Sequence, residues 1–172
     1  MIRSAVCAVA FSALVLPALA GMDDFGPGTV VPNFGPFAPV EGVTLPADTH
    51  FKVMFDVSEA GPEDGISRSL ESPARFLNMN AAAGVPAENM KVAIVVHGGA
   101  WADLLTDEAR GSANPNAPLI AELVAAGAVF DLCGQTAAAH DVTPDMLLPG
   151  VNIVLSAMTT RALLQQDGYT VN

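Results

Sequence analysis

The run Lys91-Val92-Ala93-Ile94-Val95-Val96 is almost unbroken by polar residues. A strand with one wet face alternates apolar and polar side chains. A run apolar on both sides belongs in a sheet covered on both faces, which points to parallel strands flanked by helices. The rest of the chain supplies the parts that such a sheet needs. Phe51–Val57, Ala128–Leu132 and Val151–Leu155 read as further strands, and Tyr169–Val171 as a short last one. Ser67–Ala83 reads as a helix, with Leu70, Ala74, Leu77 and Ala81 on one face, stopped by Gly84 and Pro86. Trp101–Arg110 and Asn116–Ala126 follow, the latter with Pro118 in its first turn and Gly127 at its end. Ser156–Gln166 closes before Gly168. Strands alternating with helices predict an α/β fold over residues 48–172, a three-layer α/β/α sandwich around a mostly parallel sheet of about five strands.

The sequence ahead of that domain has a different texture. Arg3 is the only charge in residues 1–20, an uncharged run follows from Ser4, and Ala18-Leu19-Ala20 is a small-residue exit. This is the layout of a secretory signal peptide cleaved before Gly21, so the mature protein is expected to be periplasmic or otherwise exported. A membrane span takes roughly 20 apolar residues, and Pro17 interrupts this run near its end. Residues 21–47 hold Pro27, Pro32, Pro36, Pro39 and Pro46 among several glycines and keep no hydrophobic period. Proline fixes φ and removes backbone donors, so an extended arm is expected there. Phe25, Val30, Val31, Phe34 and Phe37 would lay it against the body or a neighbour.

Charge narrows the functional classes. The chain has 18 acidic and 7 basic side chains, a net charge of −11, which loss of Arg3 with the leader takes to −12. Nucleic-acid affinity rests largely on Lys and Arg at phosphates, and anionic lipid attracts the same residues, so neither partner is expected. Cleavage also removes Cys7 and leaves Cys133 as the one thiol. In an oxidising compartment a lone thiol must be buried, paired between chains, or used.

The familiar catalytic motifs fail on their missing partners. Val95-Val96-His97-Gly98-Gly99 resembles the oxyanion strand end of an α/β-hydrolase, but no G-x-S-x-G elbow follows. The plainer reading is a tight turn in which Gly98 and Gly99 supply unusual backbone angles. No dinucleotide or phosphate loop is present, so no cofactor is expected. His50, His97, His140 and Cys133 have no metal-ligand spacing, and none of them is assigned a metal. Cys133 stands apart because it leaves the end of a buried-type strand, where ligands collect in open parallel sheets. A helix starting at Gly134 would aim free N–H groups at the sulfur and favour the thiolate, and Gly134 itself would let another sulfur species come close. The competing reading is a small buried hydrophobe. His97, at the end of another strand, could share the crevice if the two strands are neighbours. His140 lies seven residues along from Cys133, too far for a direct bond along a helix.

Four segments carry a resemblance: KVAIVVHGGA at 91–100, NPNAPLIAELVAAG at 114–127, DLCGQTAAAHDV at 131–142 and LLPGVNIVLSAMTTRALLQQDGY at 147–169. They resemble exported members of the DsrE/DsrF-like family, which includes TusD-like and YchN-like proteins. The resemblance implies a three-layer α/β/α sandwich assembled into homo-oligomers, trimers or hexamers. It also implies a sulfurtransferase or sulfur carrier that holds sulfur as a persulfide and exchanges it with a donor or acceptor protein or a small persulfide. Cys133 is the position that matches the relay cysteine. His97 is expected to tune it, and Gly98, Gly134, Gln135 and Thr136 to line the binding site. A non-catalytic binding protein with a structural cysteine, and a thiol redox sensor, are the other classes the residues leave open.

Overall fold

The computed structural model describes Gly21 and Asp24–Asn172; the expected leader lies outside the described residues. Five strands form one sheet: β1 (Phe51–Val57), β2 (Met90–Val96), β3 (Val129–Cys133), β4 (Val151–Val154) and β5 (Thr170–Val171). Their order is β4-β3-β2-β1-β5, and every neighbouring pair is parallel. The helices are α1 (Arg68–Ala82), α2 (Asp107–Arg110), α3 (Ala117–Ala125), α4 (Gly134–Ala139) and α5 (Ala157–Gln166). The α/β sandwich with a parallel sheet is therefore the fold.

The two faces of the sheet are unequal. One carries the main core, where Val53, Phe55, Val92, Ile94, Phe130 and Leu132 pack against Leu70, Leu77, Leu119 and Leu123 of α1 and α3. Ile94, Phe130, Leu70, Leu119 and Leu123 are fully buried, each worth about 1.5–3 kcal/mol in removed apolar surface. The other face is roofed by α5, over a small cluster of Met54, Val95, Cys133 and Ala157. The chain steps outward from β1 to β4 and then returns to the far edge for β5. A right-handed crossover in that reversed direction needs the opposite face, which is why α5 stands alone there.

Local chemistry explains the element ends. Ser67 caps α1 and Ser156 caps α5, its hydroxyl accepting from Thr159 N–H at 3.0 Å. The helix expected over Trp101–Arg110 is instead a 3-10 segment, Gly98–Leu104, followed by the separate short α2. Thr106 splits them: it is extended and its side chain caps α2. The expected strand at Ala128–Leu132 runs one residue later, which makes Cys133 both the last strand residue and the residue that opens α4.

Residues ahead of β1 contain a single antiparallel bridge, Gly26 to Phe37, and otherwise no strand or long helix among the described residues. They lie on α1, gripped by one buried side chain. Asn78 Oδ1 accepts from Val30 N–H at 3.2 Å and Val31 N–H at 2.9 Å. Its amide nitrogen donates to the carbonyls of Val31, Phe34 and Gly35. Val31 is thereby fully buried. Among the described residues no helix is long and apolar enough to cross a membrane.

Candidate functional site

Strands β1, β2 and β3 end side by side. Val96 pairs with Leu132, so the residues that follow them, His97 and Cys133, come next to each other on neighbouring strands. Val96 and Leu132 enter the main core, so strand alternation turns His97 and Cys133 to the α5 face. The neighbouring-strand arrangement on which a shared crevice depended is the one present. His97 N–H also donates to Val57 O at 2.9 Å, which extends the β1–β2 ladder by one step.

Cys133 keeps 7% of its surface exposed and packs on Met54, Val95 and Ala157. Burial alone would push its thiol pKa up. Against that stand the N–H of Ala157 at the start of α5, the N–H and hydroxyl of Thr136, and the N–H of Gln135, which together hold it below the ordinary thiol value. The N–H groups of α4 approach the large sulfur without the short, straight geometry of a capping hydrogen bond, so they act as aligned dipoles. The first turns of two different helices therefore face one sulfur atom.

The glycines differ in what the backbone asks of them. A Cβ on Gly134 would lie 2.3 Å from the Val154 carbonyl oxygen. The space is taken by the end of β4 rather than kept open for an incoming sulfur species. Gly98 does take the left-handed conformation, at φ +56°, and a Cβ there would meet Ser58 O at 2.9 Å. Gly99 does not, so only the first of the pair is needed for its backbone. Gly98 N–H donates to Thr136 Oγ1 at 3.3 Å, which leaves that hydroxyl free to donate to the sulfur. Gln135 donates through Nε2 to Leu155 O at 3.2 Å and ties α4 to the end of β4.

His97 is turned to a partner the sequence reading missed. Its Nε2 lies 3.2 Å from Asp56 Oδ1, and Arg161 of α5 reaches the other oxygen of Asp56 at 3.0 Å. Asp56 interrupts the apolar run Val53-Met54-Phe55 just before its strand ends, and Arg161 is the only basic residue of α5. Those were the available signals, but only the sheet order joins them. His140 stacks on Trp101 with ring centroids 4.4 Å apart and His50 lies ahead of β1, so neither joins Cys133. Among the described residues no three His, Cys, Asp or Glu side chains are grouped to hold a metal ion. A cavity of about 400 Å³ lies elsewhere, between α1 and the N-terminal segment, lined by Phe25, Phe37, Val40 and Met79. It contains no nucleophile and is on the other side of the sheet from Cys133.

Comparison with known proteins bears on the fold and the family. A solved structure of the Methanobacterium thermoautotrophicum protein MTH1491, a protein of unknown function, superposes with a TM-score of 0.57 at 24% identity. The match covers 71% of this chain and 97% of that one, and at this identity it speaks for the fold alone. No curated protein matches the chain. The model of the DsrE/DsrF-like family matches residues 52–171, from the first strand to the last. That match takes in every strand and helix around Cys133 and well over half of the sequence, and the protein belongs to the DsrE/DsrF-like family.

Proposed function

We propose that this protein is an exported sulfur carrier that binds and relays sulfur as a persulfide on Cys133. The observation that carries the reading is the place of Cys133, the last residue of β3 where α4 opens, packed on Ala157 at the start of α5, a setting whose N–H groups favour the thiolate. The thiolate attacks the outer sulfur of a donor R–S–SH, forming the Cys133 persulfide and releasing the donor thiol. An acceptor thiolate R′–S⁻ then attacks that outer sulfur, leaving as R′–S–SH and restoring the Cys133 thiolate. The thiol is one of a kind in the mature chain, so no internal disulfide competes with the exchange.

The donor and acceptor are small persulfides or thiol proteins. Leu155 and Met158 flank the Ala157 donor and are 71% and 78% exposed, an apolar rim suited to a protein partner or to a second copy in a homo-oligomer, trimer or hexamer. Sedimentation equilibrium reads the assembly size. Export rests on the charge-poor leader and its Ala18-Leu19-Ala20 exit.

Mass spectrometry after treatment with glutathione persulfide tests the carrier reading. The Cys133 peptide gains about 32 Da, and a reductant removes it. A native protein whose Cys133 peptide stays unmodified, while the unfolded chain is modified, overturns it. The 7% exposure of the sulfur favours a second reading, a non-catalytic oligomeric binding protein in which Cys133 fills space. Native alkylation separates the two: a thiol inert to iodoacetamide near neutral pH belongs to packing, a fast one to chemistry.

A further inference from the structure

The group formed by Asp56, His97 and Arg161 has more order than a chance surface ion pair. A carboxylate can only accept, so the 3.2 Å contact with Asp56 calls for the imidazole proton on Nε2 of His97. Arg161 occupies the second carboxylate oxygen at 3.0 Å, so both oxygens are engaged and the carboxylate cannot swing away. Nδ1 of His97 has no hydrogen-bond partner among the described residues. Strand β2 lies between β1 and β3, so His97 stands between Asp56 and Cys133. The His97 side chain is 28% exposed and the whole of Cys133 only 7%, and Gly98, next to His97, donates its N–H at 3.3 Å to Thr136, which acts on the sulfur.

We propose that Asp56, clamped by Arg161, is a positioning residue that holds His97 in the Nε2–H form, leaving Nδ1 to accept the proton of a persulfide arriving at Cys133. The inference rests on the carrier reading above and names how its proton moves. The Cys133 thiolate attacks the outer sulfur of R–S–SH, and the proton of that sulfur passes to Nδ1. The new bond joins Cys133 Sγ to the outer sulfur, and the bond from that sulfur to R–S breaks. The departing R–S⁻ takes the proton from Nδ1 and leaves as R–SH. The product, Cys133–S–S⁻, keeps its single negative charge against the N–H groups of α4 and α5. Atoms, charge and protons balance with no further reactant.

A proton acceptor of this kind contributes about 10²–10⁴ to a rate, and alkylation of a preformed thiolate by iodoacetamide needs none. Three proteins decide the matter: wild type, Asp56→Asn and His97→Gln, each with wild-type circular dichroism. Nitrogen-15 spectra of the imidazole show the Nε2–H form of His97 in wild type and a mixture in D56N, whose amide donates as well as accepts. Sulfur uptake from glutathione persulfide falls at least ~100-fold in H97Q and falls in D56N, while iodoacetamide alkylation of Cys133 holds its wild-type rate. Uptake that persists in both variants, or an Nδ1–H form in wild type, overturns this inference and leaves the carrier reading standing. Alkylation that falls in parallel with uptake also overturns it, because the group would then merely build the thiol pocket. Wild-type protein that takes up no sulfur sinks the carrier reading itself, and the inference goes with it.

Discussion

Replacing Gly134 by Ala perturbs the thiol pocket without touching the sulfur. The new Cβ would lie 2.3 Å from Val154 O and 3.2 Å from Leu155 O, where ordinary contact is 3.4–4 Å. The obstacle is backbone, held in register by the pairing of Cys133 with Val154, so the start of α4 must lift instead. Overpacking of this kind costs about 1–3 kcal/mol, and exchanging Gly for Ala inside a helix returns roughly 0.5–1. The net loss is about 1–2 kcal/mol, which for a domain of this size lowers Tm by about 2–8 °C. The same movement draws the N–H groups of Gln135 and Thr136 away from Cys133, so its thiol pKa rises towards that of a free thiol. Calorimetry gives the first number. The second comes from the pH dependence of iodoacetamide alkylation, followed on the Cys133 peptide. A variant as stable as wild type, with an unchanged alkylation midpoint, would refute the account of both Gly134 and the dipoles.

The depressed thiol also predicts how stability depends on pH. Cys133 loses its proton more readily folded than unfolded, so its contribution is present above the unfolded thiol value of about 8.5 and is lost as pH falls through the folded value. Wild type should therefore gain stability over Cys133→Ser as pH rises through that window, by at most about 1.4 kcal/mol per pH unit, and urea titrations at several pH values showing a flat difference would contradict it. Asn78→Ala leaves the backbone groups of Val30, Val31, Phe34 and Gly35 without their shared partner. It should cost about 2–4 kcal/mol in urea unfolding and open residues near Val31 to proteolysis; unchanged protection there would show that apolar contacts alone hold that segment.

The sheet and its helices were legible because their signals are local. The unbroken apolar run at Lys91–Val96, the spacing of Leu70, Ala74 and Leu77, and the Gly and Pro stops each act within a turn or two. Cys133 was legible for the same reason, since a strand end and a helix start meet at one residue. The rest of the pocket was not, because it depends on strand order. Asp56, His97 and Arg161 are far apart in sequence and meet only because β1 and β2 are neighbours and α5 crosses their back. The split at Thr106 was not legible because a side-chain cap there outcompetes a helical pattern that continues past it. The close approach of Gly134 to the end of β4 was not legible, as sequence does not say which backbone will lie against a glycine.

The return of the chain from β4 to the far edge of the sheet has a kinetic consequence. A nascent chain can pair β1 to β4 in order as they emerge, each against the strand before it, but α5 and β5 come last and must close over three strands already in place. Until that closure the Ala157 N–H is missing from the sulfur and Arg161 is missing from Asp56. The thiol pocket therefore stays one donor short through most of folding, and is complete only when the final segment docks.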